Sequence, residues 1–248
     1  MAAEDRVLAG RRPIVELLRA GGTAERVFIA QGLAPSKVID EIRTRAARAA
    51  IPVRDVPKNE IDRMAAGLHH QGAVALTGRW RYTPLDELLT VPDVKLLFLD
   101  GVTDPHNLGS LLRTADGAGF HGVVVPSHRS VGVTPAVRRV SAGAAEVVPV
   151  ARVSSLVTSL DEVRGAGVWI VGLDAGASED IWSSTLPEPP VGLVLGGEEK
   201  GISRGVRGRC DGLVRIPLEG ALESLNVAVA GAIAMFEVAR RSAQSATL

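Results

Sequence analysis

Three polar stretches of the chain carry residues that could do chemistry. The first, DPHNLGSLLRTA at 104–115, places Asn107 and Arg113 six residues apart in a helical pattern that follows an apolar run at 94–99. An amide both donates and accepts hydrogen bonds, and a guanidinium grips anions. Because ligands of α/β sheets bind beyond the carboxyl ends of the strands, this layout predicts one wall of a reaction site. A capped helix with a surface Arg has the same pattern.

The second stretch, LVLGGEEKGI at 193–202, runs from an apolar segment into Gly196 and Gly197. Glycine lets a ligand approach the backbone closely, and Glu198 would then stand at the end of the strand, beside the ligand. The sequence has neither a GxGxxG pattern here nor a Walker A motif anywhere. The paired glycines also fit a plain tight turn before a helix.

The third stretch is IPL at 216–218 followed by SLNVAVA at 224–230. Ser224 is predicted to be the N-cap of a helix, with Asn226 in its first turn. The helix is almost wholly small and apolar, so it must be buried against its own sheet or against a second subunit. A capped core helix explains Ser224 but leaves the polar Asn226 unexplained.

The elements that position these stretches fall into two groups. Residues 1–77 alternate helical and strand patterns as a compact αβαβαβ unit. The later part has apolar runs without alternation, which are typical of parallel strands covered on both faces; they lie at 94–99, 122–125, 168–173, 191–195 and 212–216. Helical patterns lie between them, so this part is predicted to be a doubly wound α/β domain. Residues 78–92, with two prolines, are predicted to be a linker.

Composition excludes several classes of protein. The 248 residues are 46% hydrophobic, enough for a core. The single Cys210 excludes an internal disulfide and fits a reduced, cytoplasmic setting. No apolar run has the length of a membrane span, and no Cys/His cluster has zinc-ligand spacing. Net charge is zero, but residues 1–81 hold 14 Lys/Arg and 9 Asp/Glu, a net of +5. Both a nucleic-acid-facing region and ordinary surface charge fit that excess.

Taken together, the order and spacing of the three stretches resemble the SpoU, or TrmH-like, family of RNA ribose 2′-O-methyltransferases over about 94–241. Residues 1–77, with QGAVA at 71–75, look like the small L30e-like substrate-binding α/β domain of its ribosomal-RNA members, closest to the 23S rRNA guanosine-2′-O-methyltransferases. The resemblance implies an α/β trefoil-knot (SPOUT) methyltransferase domain at 93–248 behind that domain. It also implies a homodimer through the knotted domain.

The resemblance further assigns residues to the site. It implies S-adenosylmethionine (AdoMet) as cofactor, without a metal, and places cofactor contacts at Leu173, Gly196, Ile216 and Leu225. The implied catalytic residues are Asn107, Arg113, Glu198, Ser224 and Asn226. Glu198 would anchor Arg113 or a backbone amide. Arg113 is the family's favoured proton acceptor, but a guanidinium stays protonated, so stabilising an alkoxide or gripping a phosphate is the easier role.

RNA is the expected partner. Phosphate contacts are expected from Arg11, Arg12, Arg79 and Arg81, while Trp80 or Tyr82 would either stack on a base or pin the linker. The leading substrate is a guanosine of 23S rRNA. The alternatives are another rRNA nucleotide, as in antibiotic-resistance enzymes, a tRNA, or a non-catalytic rRNA-binding factor.

Overall fold

The computed structural model describes residues 7–19, 21, 24–78, 80–183, 187–198, 200–221 and 224–245. The strands are β1 (Val7–Ala9), β2 (Ala24–Ala30), β3 (Val53–Val56), β4 (Ala73–Thr77), β5 (Lys95–Asp100), β6 (Gly122–Pro126), β7 (Val150–Val153), β8 (Trp169–Leu173), β9 (Glu179–Asp180), β10 (Val191–Gly196) and β11 (Gly212–Arg215). The helices are α1 (Arg11–Arg19), α2 (Lys37–Arg48), α3 (Lys58–Ala65), α4 (Leu85–Leu88), α5 (Pro105–Gly117), α6 (Pro135–Val140), α7 (Leu156–Gly165), α8 (Arg204–Arg207) and α9 (Val227–Ser245).

The chain divides into two compact units. The first comprises Met1–Arg81 and Val133–Val147, and the second comprises Tyr82–Gly132 and Val148–Leu248. The segment Val133–Val147, which holds α6, therefore belongs to the first unit although both of its neighbours in sequence belong to the second.

The first unit is built on a four-stranded mixed sheet in the order β1–β4–β2–β3. Strand β4 is antiparallel to β1 and β2, and β2 is parallel to β3. Alternate residues of β2 enter two apolar clusters: Val27 and Ile29 pack with Ile14 and Ile42, while Phe28 packs with Ile61. This alternation is what a sheet covered by helices on both faces requires.

The second unit is built on a seven-stranded sheet in the order β7–β6–β5–β10–β8–β11–β9. Every adjacent pair is parallel. The predicted parallel sheet is thus present, and its centre is dry: Leu96, Phe98 and Val194 are fully buried in one core cluster. Strands that end at one edge bring their following loops together there, which positions the site described below.

The segment predicted as a linker contributes to the core of the second unit. Pro84 precedes the short helix α4, whose Leu85 and Leu88 are buried with Phe98. Thr83 N–H also donates to the Val150 carbonyl at 2.8 Å. Leucines three residues apart on one helical turn face the same way, which is why this stretch packs.

A membrane span was not expected. Within the described part of the chain, no helix has the combination of length and apolarity that crossing a bilayer needs.

Candidate active site

Two adjoining cavities lie at the carboxyl ends of the central strands of the second unit. The first has a volume of about 380 Å³ and is formed by the loops after β8, β10 and β11 and by the start of α9. Its lining includes all four residues predicted to contact a cofactor, and two of the predicted catalytic residues, Glu198 and Ser224. The four predicted cofactor residues, drawn from three separate loops, are Leu173, Gly196, Ile216 and Leu225.

Two glycines shape the floor of the first cavity by letting backbone pack on backbone. A β-carbon on Gly196 would lie 2.0 Å from the carbonyl carbon of Gly201, and one on Gly197 would lie 2.5 Å from the Gly101 carbonyl oxygen. Gly201, with a φ of +59°, donates its N–H to the Gly197 carbonyl at 2.9 Å. The two glycines were expected to admit a ligand, but the packing of the backbone already requires them, because any side chain at either position would displace the loop after β10.

The second cavity, about 600 Å³, lies beside the first and shares part of its lining. Glu198 and Lys200 are the charged residues that line both cavities. Asn107 and Arg129 line the second cavity but not the first. The two cavities therefore adjoin at Glu198 and Lys200.

Three side chains form a closed hydrogen-bond network at this junction. The Asn107 amide donates to Glu198 Oε1 at 3.1 Å. The Asn226 amide donates to the same oxygen at 2.6 Å and to Asn107 Oδ1 at 3.0 Å. No described residue bonds the second amide hydrogen of Asn107 or Glu198 Oε2. One donor and one acceptor are therefore left for a ligand.

Asn226 also begins the last helix. Its Oδ1 accepts the N–H groups of Ala228 at 2.9 Å and Val229 at 3.3 Å, which is the contact of an N-cap residue. The prediction that Ser224 caps α9 is wrong: Ser224 is exposed and lines the first cavity instead. The polar Asn226 that a capped core helix left unexplained is thus both the cap and a member of the network.

Family models match both parts of the chain. One described as the SpoU rRNA Methylase family matches residues 95–236, and one described as RNA 2'-O ribose methyltransferase substrate binding matches residues 7–83. The chain belongs to the SpoU methylase family. The family prediction made from the three sequence stretches is therefore confirmed.

Individual SpoU relatives are similar over nearly the whole chain. A protein of Bacillus subtilis (strain 168) named as a TrmH family tRNA/rRNA methyltransferase, YacO, is 37% identical and covers 97% of this chain and 98% of its own. The SpoU methyltransferase AviRb of Streptomyces viridochromogenes has a TM-score of 0.82 at 26% identity, over 98% of this chain and 91% of its own. The structure of AviRb in complex with AdoMet has a TM-score of 0.80 at 26% identity, over 96% of this chain and 90% of its own. The predicted fold class is confirmed.

Arg113 of this SpoU chain does not join the network. It lies six residues after Asn107, which on an α-helix is about a third of a turn away around the axis. Arg113 is accordingly exposed and lines neither cavity, whereas Asn107 is only 8% exposed. The helix is capped by Asp104, whose Oδ1 accepts the His106 N–H at 2.9 Å. Glu198 was expected to anchor Arg113 or a backbone amide, but among the described residues it accepts from the side-chain amides of Asn107 and Asn226.

An ion pair closes part of the first cavity. Asp174, at the end of β8, accepts from Arg207 of α8 at 2.6 Å, and both residues line the cavity. The other carboxylate oxygen of Asp174 accepts the Gly176 N–H at 2.8 Å. This pair fixes the loop after β8 against α8.

The residues expected to grip RNA have different surroundings. Arg11 donates to the Gln71 carbonyl at 2.7 Å and to Ser36 Oγ at 3.3 Å, so its guanidinium holds loops of the first unit together. Arg12 and Arg81 are exposed, and Arg79 lies outside the described residues.

The linker aromatics pack against arginines of their own units. The Arg138 guanidinium lies 5.4 Å from the Trp80 ring centroid, and Arg152 lies at the same distance from the Tyr82 ring. These contacts favour the pinning role over stacking on a base.

Other chemistry-bearing side chains serve the fold. The described residues hold no group of three His, Cys, Asp or Glu side chains that could bind a metal ion. His70 pairs with Asp62 at 2.8 Å and accepts the Gly72 N–H at 3.0 Å. Burial raises the pKa of the Cys210 thiol to about 11, which keeps it unreactive.

Proposed function

We propose that this chain transfers a methyl group from AdoMet to a ribose 2′-hydroxyl of RNA, with a guanosine of 23S rRNA as the substrate. The observation that carries the proposal is the junction of the two cavities at the network of Asn107, Glu198 and Asn226. A cofactor in the first cavity and a ribose in the second would meet there. Family membership supports the class of reaction.

The residues of the first cavity fit AdoMet. Its volume lies within the range of small-molecule sites. Leu173, Ile216 and Leu225 offer apolar surface for an adenine ring, while Asp174 and Ser224 offer oxygens for hydroxyl or ammonium groups. Bound AdoMet supplies a methyl group on a sulfonium, which is already a good leaving group. The protein's task is to align the hydroxyl oxygen and to take its proton.

Within the network, the two unbonded positions are suited to these tasks. The second amide hydrogen of Asn107 can donate to a ribose oxygen, and Glu198 Oε2 can accept the 2′-hydroxyl proton. A carboxylate can take up a proton, whereas a guanidinium is already protonated. Glu198 is therefore the proton acceptor in this proposal, and Arg113 stabilises charge on the RNA.

The substrate is tested by mapping 2′-O-methyl groups in rRNA and tRNA from a strain that lacks the gene. One 23S guanosine is expected to lose its methyl group, and the purified protein with AdoMet should restore it. Loss of a methyl group from another rRNA position or from a tRNA would move the substrate to that RNA. An unchanged map, together with no AdoMet binding by calorimetry, would contradict the enzyme and favour an rRNA-binding factor.

The active form is proposed to be a homodimer through α9. Val229 and Phe236, seven residues apart on one helix face, are 50% and 52% exposed. Gly117 of α5 lies against Phe236, since a β-carbon there would be 3.7 Å from Phe236 Cζ. Arg113 stands one turn before Gly117 on the same face of α5. A second copy that covers this apolar strip would therefore cover the surface beside Arg113, which accounts for an Arg that its own cavities do not use.

Light scattering tests the dimer. The wild-type protein is expected to have twice the mass of the chain, and Phe236→Asp is expected to be a folded monomer that has lost methyl transfer. A wild-type monomer that is fully active would contradict this proposal.

A further inference from the structure

Arg129 is held in an unusual backbone conformation at the second cavity. It lies in the loop after β6, and its φ is +56°, in the left-handed region that side chains with a β-carbon disfavour. Of the six described non-glycine residues with positive φ, Arg129 alone lines either of the two cavities. Such conformations persist only where the surroundings impose them, and they concentrate at functional sites.

The surroundings here do impose it. On one side of Arg129, the Ser127 N–H donates to the Val153 carbonyl at 2.8 Å. On the other side, the Val131 N–H and Ser130 Oγ both donate to the Val102 carbonyl, at 3.0 and 3.2 Å. Both flanks of the loop are thus fixed to neighbouring strand ends, which presents the Arg129 side chain at the cavity.

The charges of the second cavity leave two cations unpaired. Its lining holds the carboxylates Asp100, Asp104 and Glu198, and each accepts hydrogen bonds from N–H groups of uncharged partners. Arg129 and Lys200 line the same cavity, yet no described carboxylate lies within ion-pair distance of either. Neither cation is therefore held in an ion pair by a described residue, so both are available to an external anion.

We propose that Arg129 and Lys200 bind one backbone phosphate of the RNA beside the ribose that enters the second cavity. This inference rests on the proposed function, because it takes RNA as the occupant. An Arg fork matches two phosphate oxygens and a Lys adds a point charge. In RNA a phosphate is attached to C3′, the neighbour of the C2′ that carries the hydroxyl, so a residue that fixes this phosphate also positions the hydroxyl relative to Glu198.

The test compares Arg129→Gln with wild type on rRNA purified from the strain that lacks the gene. The KM for RNA is expected to rise about tenfold, as for loss of a charged hydrogen bond, with kcat changed less than about twofold and the AdoMet Kd unchanged. The dependence of log KM on log salt should become shallower by about 0.7, the value for one phosphate contact on single-stranded RNA. Arg129→Lys should recover most of the loss.

Three further variants separate binding from structure. Arg129→Gly suits the positive φ and removes only the side chain, so it should lose as much as Arg129→Gln. Lys200→Gln should raise the KM for RNA without changing the AdoMet Kd. Arg209→Gln removes one half-buried positive charge, paired with Asp161, that lines neither cavity, so it should behave as wild type.

Wild-type KM and salt dependence in Arg129→Gln or Arg129→Gly would overturn the phosphate site. If Lys200→Gln weakened only AdoMet binding, Lys200 would belong to the cofactor and the pair would be refuted. If the wild-type protein failed to methylate this RNA, the proposed function would fail instead. The salt dependence of RNA binding, measured by filter retention, would then test Arg129 without turnover.

Discussion

At the scale of single residues, the two oxygens of Glu198 have different surroundings. Oε1 accepts from both Asn107 and Asn226, while Oε2 has no partner among the described residues, and Glu198 lines both cavities. One oxygen therefore holds the network together, and the other is available to take a proton. The two tasks are separable by mutation because a Gln side chain keeps one carbonyl oxygen and loses the second acceptor.

Glu198→Gln is expected to lower kcat by about 10²- to 10⁴-fold, the usual contribution of a general base. The Gln carbonyl can still accept from both Asn amides, so the AdoMet Kd and the melting temperature should stay near the wild-type values. Glu198→Ala, which loses both oxygens, should also weaken AdoMet binding. A Glu198→Gln protein with normal kcat would remove Glu198 as the proton acceptor.

Arg113→Ala is expected to abolish methyl transfer nearly completely while calorimetry shows AdoMet binding intact. AdoMet binding should survive because Arg113 lines neither cavity of its own chain. Methyl transfer should be lost because the permanent charge of Arg113 is suited to a phosphate or a developing alkoxide. Arg113→Lys, which keeps the charge without the planar fork, should recover part of the rate. Near-normal turnover of Arg113→Ala would show that the assignment is mistaken.

The structure brings most of the predicted catalytic residues together, but their partners differ from those the sequence suggested. Asn107 was expected to form one wall of the site with Arg113, yet it bonds Glu198, 91 residues away, and Asn226, 119 residues away. Ser224 and Asn226 are both good N-caps two residues apart, so local preference cannot choose between them. Only the tertiary network makes Asn226 the cap. Arg129 carried no sequence signal, because its interest lies in its backbone conformation.

At the scale of elements, the start of α9 joins helix capping to the active site. Asn226 uses its carbonyl oxygen for the helix and its amide nitrogen for Glu198 and Asn107. An Asp at this position would keep the cap, and its charge would interact favourably with the helix dipole. It would also lose both donated bonds and bring a second carboxylate against Glu198.

Asn226→Asp is therefore expected to melt within a few degrees of wild type and to lose at least about 100-fold in methyl transfer, as for removal of one preorganised donor. Thermal melts followed by circular dichroism, together with a methyl-transfer assay, give the two readouts. Asn226→Ser, which caps without the added charge, should lose less activity. The proposed coupling would be disproved by an Asn226→Asp protein with wild-type activity.

The central elements were predictable because their apolar runs are long. Strands β5, β8 and β10 coincide with runs of four or more apolar or glycine residues. The missed strands are short: β1 has three residues, β7 has four and β9 has two. Whether such a segment becomes a strand depends on a partner such as β4, which local sequence cannot show.

At the scale of the whole molecule, a buried ion pair ties a distant segment into the first unit. Arg138 of α6 donates to Glu146 at 2.6 Å and to Thr77 of β4 at 2.9 Å. The side chains of Arg138 and Glu146 are only 5% and 4% exposed. This arrangement could not be predicted from the sequence, because 127–147 has no apolar run and its pattern indicates only a connection between strands. A first unit that ended at residue 77, the boundary predicted from the sequence, or at residue 83, where the substrate-binding family match ends, would lack this segment.

Replacement of Arg138 by Met should make the free energy of unfolding depend on pH. Burial raises the pKa of the Glu146 carboxyl above its ordinary 4.5, and Arg138 opposes that rise. In Arg138→Met the pKa of Glu146 should rise further. A group whose pKa is higher in the folded state than in the unfolded state contributes its full stabilisation at pH values below its unfolded-state pKa. This contribution is lost as the pH rises through its folded-state pKa. The variant should therefore be less destabilised at pH 5 than at pH 8.

At pH 8 the loss is expected to be about 3–5 kcal/mol, the usual effect of leaving a buried charge without its partner. Urea unfolding at pH 5 and pH 8, with wild type measured beside the variant, gives the difference. The double variant Arg138→Met, Glu146→Gln carries no buried charge, so it should recover part of the stability and show no extra pH dependence. An equal loss for Arg138→Met at both pH values would mean that Glu146 is not held as a charged partner of Arg138.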